Sequence, residues 1–213
     1  MPAHKLYYIS GECSQAVHIV LRECGAEYSL SAEKVGTNDF SPELLALNPK
    51  KKVPVLVIDK TTVLTEVPAI MTYLSQLAPE KNLLGSTPME TVRAYEWMNW
   101  LSGTLHAQGW RLFCFPERFL EDESLGTARE ALKGKGRDII KDCYATIESR
   151  LKDGQIHAVG DAFTAVDAYL FVFFRWGSRA EIDMEALYPR YAALAGRVWA
   201  RDAVKEVLAA EGF

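Results

Sequence analysis

The sequence is poor in cysteine and carries no recognisable cysteine pairing. Four cysteines occur in 213 residues, and none of them forms a C-x-x-C pair. Their spacing with the four histidines also matches no metal-ligand pattern. We therefore expect neither a disulfide scaffold nor a structural zinc, and we predict no metal site.

An excess of charge of one sign and long apolar runs are also missing. The chain has 24 Lys and Arg against 28 Asp and Glu, a formal net charge of −4, which would not attract nucleic acid or an anionic membrane. No apolar stretch approaches the ~20 residues of a membrane span, and the first residues lack the apolar core of a signal peptide. We expect a cytoplasmic protein with no nucleic-acid or membrane partner. The lysine runs at 50–52 and 133–141 are interpreted as solvated surface.

Short alternating elements fill the first 79 residues. The apolar run at 5–10 predicts a buried strand, Gly11 a turn, and the periodicity of 13–24 a helix that Gly25 closes. Further strands are predicted at 28–32, 53–58 and 62–65, and further helices at 42–47 and 67–77. The order is strand, helix, strand, helix, strand, strand, helix.

The composition changes after Pro79. A polar connection containing Gly85 and Pro88 follows, and no further strand pattern occurs. Helical periodicity instead predicts helices at 91–113, 128–151, 166–176, 191–199 and 203–210. Gly134 and Gly136 should loosen the first turns of the second of these. The sequence thus predicts an α/β domain at 1–79 and an all-helical domain at 90–213.

The junction of the first strand and helix, SGECSQ at 10–15, contains Cys13. The free N–H groups and positive end of a helix favour a thiolate over a thiol, both for Cys13 and for a bound thiol. A dithiol oxidoreductase would have a second cysteine three residues on, but that position is Ala16, so internal disulfide cycling is excluded. The alternative is a buried cysteine without a chemical role.

Three other segments carry candidate functional residues. Val53-Pro54 begins the third strand and, taken alone, fits an ordinary edge-strand proline. Glu66 immediately precedes the helix predicted at 67–77, and an acid at this position also compensates the helix dipole. Asn99 and His106 are seven residues apart, so an α-helix would place both on one face.

In this order and spacing, these segments resemble the glutathione transferases, most closely the bacterial beta class. The resemblance implies a glutathione transferase fold, with a thioredoxin-like α/β N-terminal domain and an all-α helical bundle. The implied activity is conjugation of glutathione, the co-substrate, to a small hydrophobic electrophile, without a prosthetic group and in a homodimer. Matching fails at 31–40, where this chain is shorter than the class.

The resemblance also assigns residue roles. The catalytic candidates are Cys13, Ser14 and His106; the glutathione-binding candidates are Val53, Pro54, Glu66, Val67 and Asn99; and the candidate pocket walls are Tyr8, Trp110, Phe113 and Trp176. A cis Val53–Pro54 bond would turn the Val53 backbone toward glutathione. Glu66 would hold the γ-glutamyl ammonium. Val67 replaces a serine that the family commonly has, so weaker glutathione binding is expected.

Several alternatives remain open at this stage. Cys13, Ser14 and Tyr8 all carry groups that could activate the glutathione thiol. Cys13 could instead form a mixed disulfide with glutathione and support thiol–disulfide exchange. A different class of function is a catalytically idle protein of this fold that serves as a binding or regulatory module. The motif at 160–169, with Thr164 as N-cap and Asp167 three residues on, is assigned to stability alone.

Overall fold

The computed structural model describes residues 4–34, 40–59, 61–121 and 126–213. Its N-terminal part contains a four-stranded sheet in the order β2-β1-β3-β4. The strands are β1 (His4–Tyr8), β2 (Tyr28–Ala32), β3 (Val55–Val57) and β4 (Val63–Thr65). β1 and β2 are parallel, whereas β1 with β3 and β3 with β4 are antiparallel.

Three helices accompany this sheet: α1 (Ser14–Cys24), α2 (Pro42–Leu47) and α3 (Val67–Leu77). α1 makes the crossover that two parallel strands require, and Gly25 closes it at a φ of 72°. This thioredoxin-like order confirms the prediction for the first domain. Of the poorly matched segment at 31–40, residues 35–39 lie outside the described part of the chain.

The C-terminal part consists of helices joined by turns and loops, and none of its described residues forms a strand. Its helices are α4 (Pro88–Trp100), a π-helical stretch (Leu101–Trp110), α5 (Arg111–Cys114), α6 (Gly126–Arg150), α7 (Ala165–Trp176), α8 (Met184–Leu187), α9 (Pro189–Trp199) and α10 (Asp202–Glu211). Short 3-10 turns occur at Pro79–Lys81, Pro116–Phe119 and Gly177–Ala180. This arrangement supports the division at 1–79 and 90–213, which we keep as a proposal. No described helix combines the length and the apolar character needed to cross a membrane.

The end of α10 fixes the turn that leads into α1. The Glu211 carboxylate accepts hydrogen bonds from the Gly11 N–H at 2.9 Å and the Gln15 side-chain amide at 2.8 Å, and it contacts His18 Nδ1 at 2.7 Å. Gly11 has a φ of 70°, and a Cβ there would lie 2.6 Å from the Phe213 ring. The turn before Cys13 is therefore anchored by the helical domain.

α6 contradicts the prediction that its two glycines loosen it. The helix runs without interruption from Gly126 to Arg150. A Cβ at Gly136 would lie 2.5 Å from the Phe113 backbone nitrogen and 2.8 Å from the Gly109 carbonyl oxygen, so two helix backbones meet there. Gly134 has no neighbour within 4 Å of such a Cβ. Gly136 thus permits close helix packing.

The capping motif of α7 is present, with Asp167 as its main acceptor. The buried Asp167 carboxylate accepts hydrogen bonds from the backbone N–H groups of Ala158 and Thr164, both at 2.8 Å. The Thr164 hydroxyl donates to the same carboxylate at 3.2 Å. The motif joins the start of α7 to the loop before it, which fits a role in stability.

Candidate active site

A cleft of about 350 Å³ lies between the sheet domain and the helical domain. The sheet wall comes from the start of α1, the segment before β3 and the start of α3, and contributes Cys13, Asn48, Lys52, Val53, Pro54, Thr65, Glu66 and Val67. The helical wall contributes Ser102, His106, Ala107, Arg111, Phe119 and Tyr169. The structure thus brings the predicted candidates Cys13, Val53, Pro54, Glu66, Val67 and His106 together.

Cys13 lies immediately before α1, with its side chain buried against the cleft. Its Sγ donates a weak hydrogen bond to the Val53 carbonyl oxygen at 3.8 Å. Burial raises the pKa of the Cys13 thiol to about 12, and the Glu12 carboxylate acts in the same direction. The N–H groups at the helix start lower the pKa, as expected, but their effect is smaller than that of burial. The raised pKa therefore favours the protonated thiol of Cys13 in the free protein, against the expectation of a thiolate.

The Val53–Pro54 peptide bond is cis, which confirms the implied geometry. Asn48, buried nearby, shapes the loop that leads to it. The Asn48 side-chain amide donates to the Lys52 carbonyl oxygen at 2.8 Å, and its oxygen accepts from the Lys50 N–H at 3.2 Å. Asn48 therefore positions the loop before Val53. The Asn48-Pro49 pair is a turn signal in the sequence that could have identified it.

Glu66 precedes α3 and has a φ of 71°, a backbone conformation that is uncommon for a residue with a side chain. Its carboxylate is exposed and forms an ion pair with Lys50 Nζ, which also donates to Thr65 Oγ1 at 2.6 Å. Val67 follows in the first turn of α3 and also lines the cleft. A carboxylate and a helix N-terminus therefore lie side by side at this edge of the cleft.

His106 lines the helical wall with its ring packed against aromatic side chains. The ring centroid lies 5.5 Å from that of Trp176 and 6.0 Å from that of Phe173. Burial lowers the pKa of His106 to about 4, and the charges of Arg111 and Lys52 lower it further. The imidazole is therefore neutral near physiological pH, and a neutral ring still has one N–H to donate.

Ser14 and Asn99 are not on the cleft. The buried Ser14 hydroxyl accepts from the Ile9 N–H and donates to the Ile9 carbonyl oxygen, both at 3.1 Å, so it holds the turn between β1 and α1. Asn99 is exposed near the end of α4. The π-helical winding that begins at Leu101 breaks the α-helical phase that would have aligned Asn99 with His106.

The four aromatic residues predicted as pocket walls also lie away from the cleft. Tyr8, Trp110, Phe113 and Trp176 are all buried. The Trp110 ring packs against those of Phe113 and Trp176, with centroids 5.7 and 5.3 Å away. The indole nitrogen of Trp176 donates to the Gly11 carbonyl oxygen at 2.8 Å. These side chains form a core behind the cleft, and we do not retain them as walls.

Sequence reasoning missed two cations at the site. Lys52 lies in a run that we interpreted as solvated surface; it is exposed, yet it also lines the cleft. Arg111 is the first residue of α5 and lines the helical wall. No motif marks either residue, because a basic side chain in a loop or on a helix usually faces solvent. The cleft is therefore more polar than an aromatic-lined pocket.

Comparisons with known proteins agree with this geometry. The sequence patterns described as the N-terminal and C-terminal domains of glutathione S-transferase match residues 12–77 and 104–202. Glutathione S-transferase GstA of Escherichia coli O157:H7 is 34% identical, over 98% of this chain and 99% of its own length. A glutathione transferase homolog from Sulfitobacter with bound glutathione superposes with a TM-score of 0.89 at 26% identity, over 100% of both chains.

The class assignment rests on a further structure. A bacterial beta class glutathione S-transferase from Sphingomonas chungbukensis superposes with a TM-score of 0.83 at 30% identity, over 98% of each chain. The predicted resemblance to this class is thereby confirmed. The chain belongs to the glutathione S-transferase family.

Proposed function

We propose that this glutathione transferase binds glutathione on the sheet wall of the cleft and transfers its sulfur to an electrophile on the helical wall. The observation that carries the proposal is the convergence of Cys13, Val53 and Glu66 on one cleft, beside the starts of α1 and α3. Each of these features suits one part of a γ-glutamyl tripeptide.

The charges of the sheet wall complement those of glutathione, which has one ammonium and two carboxylates. Glu66 would accept hydrogen bonds from the γ-glutamyl ammonium, while Lys50 occupies another position on the same carboxylate. The Val67 N–H at the start of α3 would bind the γ-glutamyl carboxylate. Val53 would pair with the cysteinyl backbone, and Lys52 would bind the glycyl carboxylate.

The thiol of glutathione would then lie beside Cys13, at the positive end of α1. Backbone N–H groups there stabilise a thiolate, and the neutral His106 ring adds one N–H donor. The thiol proton leaves to solvent, the thiolate forms a carbon–sulfur bond with the electrophile, and the leaving group departs with its electron pair. Cys13 is a neighbour of this reaction and need not be ionised for it.

A second activity, thiol–disulfide exchange through Cys13, is favoured by the position of its sulfur on the cleft. The Cys13 thiolate would attack one sulfur of a glutathione disulfide and release the other as a thiolate. The raised pKa of Cys13 would make this reaction slow at neutral pH. Conjugation is therefore the main proposed activity.

Parallel assays with two substrates distinguish the proposals. One contains glutathione and a chlorodinitrobenzene, and the other a mixed disulfide of glutathione. Turnover of the first supports conjugation, and turnover of the second supports exchange. Turnover of neither would support the idle binding module.

Glu66→Ala should raise the KM for glutathione about tenfold with little change in kcat, because a charge-assisted contact to the bound tripeptide is lost. Steady-state kinetics at varied glutathione concentration measure this effect. Glu43→Ala is the matched control, since Glu43 is also an exposed acid in an ion pair, with Lys5, and lies outside the cleft. An unchanged KM in Glu66→Ala would remove Glu66 from the binding site.

We also propose that the protein is a homodimer. Large apolar side chains are exposed at the end of α3 and the start of α4: Leu77 by 44%, Met89 by 64% and Val92 by 57%. Exposed apolar groups of this kind are common at subunit interfaces. Sedimentation at micromolar concentration should give a dimer, and Val92→Glu should shift it toward the monomer. A wild-type monomer would contradict the proposal.

A further inference from the structure

Arg111 is a cation on the cleft for which the sheet-wall binding scheme has no use. It lies on the helical wall, and within the described part of the chain no carboxylate forms an ion pair with it. By contrast, Lys50 pairs with Glu66 at the same cleft, and Arg179 pairs with Glu12 nearby. Among the described residues, therefore, no acid compensates the positive charge that Arg111 brings to the helical wall of the cleft.

Glutathione does not require this charge. In the proposed binding mode, Lys52 and the start of α3 would bind its two carboxylates and Glu66 its ammonium, all on the sheet wall. The sulfur would lie at the start of α1. A ligand that neutralises Arg111 must therefore come from the other reactant.

The surroundings of Arg111 favour an anion. Burial lowers the pKa of its guanidinium, and the neighbouring charge of Arg118 lowers it further, so the cation is partly desolvated and repelled by a second cation. A bound carboxylate would relieve both effects. A guanidinium also offers two parallel N–H donors that match the geometry of a carboxylate.

The rest of the helical wall suits a ring that carries such a group. Phe119 is half-exposed, and it and Ala107 both line the cleft and give it apolar surface for a flat substrate. The Ser102 and Tyr169 hydroxyls are 3.2 Å apart on the same wall and offer neutral hydrogen-bonding groups. The wall thus combines one apolar surface, two hydroxyls and one fixed positive charge.

We propose that Arg111 binds a carboxylate of the second substrate, so that this transferase prefers anionic aromatic or conjugated electrophiles to uncharged hydrophobic ones. The proposal rests on the proposed function, because it assigns the electrophile to the helical wall. It narrows the small hydrophobic electrophile that the resemblance implies to one that also carries a carboxylate.

A matched pair of electrophiles tests this specificity. A chlorodinitrobenzoate and the chlorodinitrobenzamide of the same substitution pattern differ in charge but have nearly the same shape. With either one, the carbon–sulfur bond forms, chloride leaves and the thiol proton passes to solvent. The value of kcat/KM for each electrophile is divided by its uncatalysed rate constant with glutathione, which removes the difference in intrinsic reactivity.

Three variants test whether Arg111 causes the preference for the benzoate. In Arg111→Gln the normalised preference for the benzoate should fall about 10- to 100-fold, the range expected for loss of a charged hydrogen bond. Arg111→Lys should keep part of the preference, because lysine keeps the positive charge but lacks the two parallel N–H donors of the guanidinium. The control is Arg118→Gln, which removes a neighbouring exposed cation that does not line the cleft and should change the preference less than about twofold.

Other outcomes would contradict either the role of Arg111 or the proposed conjugation activity on which it rests. If Arg111→Gln slows both electrophiles equally, or raises only the KM for glutathione, Arg111 acts on glutathione and the proposal is wrong. If the wild type converts neither electrophile, the proposed function fails. In that case calorimetry with the two preformed glutathione conjugates still tests Arg111: a selective loss of affinity for the carboxylate conjugate supports the proposal, and equal losses refute it.

Discussion

The reaction of oxidised glutathione with Cys13 should become about tenfold faster with each pH unit between about pH 7 and about pH 9. Burial and Glu12 raise the pKa of this thiol to about 12, so the thiol is protonated throughout that range. Raising the pH removes the proton, and well below the pKa the thiolate fraction grows in proportion to hydroxide. Peptide-mapped mass spectrometry of the adduct at a series of pH values measures the rate.

The position of the adduct is as informative as its rate. Burial also raises the pKa of Cys114, to about 11, but Cys114 is exposed and would react first if only accessibility and ionisation mattered. Selective reaction at the buried Cys13 would therefore show that the cleft guides glutathione to it. Cys13→Ala should abolish this adduct and the exchange activity, while conjugation should fall much less.

Two results would contradict this account of Cys13. A rate independent of pH over the same range would mean that Cys13 is already ionised, against the effect of burial. An adduct on Cys24, Cys114 or Cys143 but not on Cys13, with all activity intact in Cys13→Ala, would remove Cys13 from the site.

Gly136→Ala should lower the free energy of unfolding by about 2–3 kcal/mol, because the added methyl group meets the backbones of the π-helical stretch and α5. Backbone atoms at 2.5 and 2.8 Å cannot move aside as a flexible side chain would. Urea denaturation of the wild type and the variants, compared at equal protein concentration, measures the loss. Since α5 carries Arg111, conjugation activity should also fall.

Gly134→Ala is the matched control in the same helix, two residues away. No atom lies within 4 Å of its added methyl group, so only helix propensity changes, and the variant should gain about 0.5–1 kcal/mol. If both variants are stabilised, the close contact at Gly136 is absent in solution. If both are destabilised equally, the effect comes from the helix and not from the contact.

Local signals in the sequence were sufficient for most of the sheet domain. The bounds of β2, α2 and α3 agree with the prediction. Gly25 marks the end of α1, and the prolines at 42 and 68 mark the first turns of α2 and α3. The resemblance supplied the cis Val53–Pro54 bond, which no propensity would indicate. The order of motifs therefore carried more information than any one of them.

The errors in the candidate site have physical causes outside the local sequence. The pKa of Cys13 depends on how completely tertiary contacts bury the sulfur, and the sequence shows only its place before a helix. Buried aromatic residues and pocket walls have the same composition, so Trp110 and Trp176 could not be told apart from wall residues. The π-helical stretch changed which side chains face the cleft without leaving a proline or other signal.

A crystal structure of the protein with glutathione would test the central claim most directly. The account predicts the sulfur beside Cys13 Sγ at the start of α1, the cysteinyl backbone paired with Val53, and the γ-glutamyl ammonium hydrogen-bonded to Glu66. Arg111 should remain free of glutathione and face the space left for the second substrate. Glutathione bound outside this cleft, or held by Arg111 through one of its own carboxylates, would contradict the account.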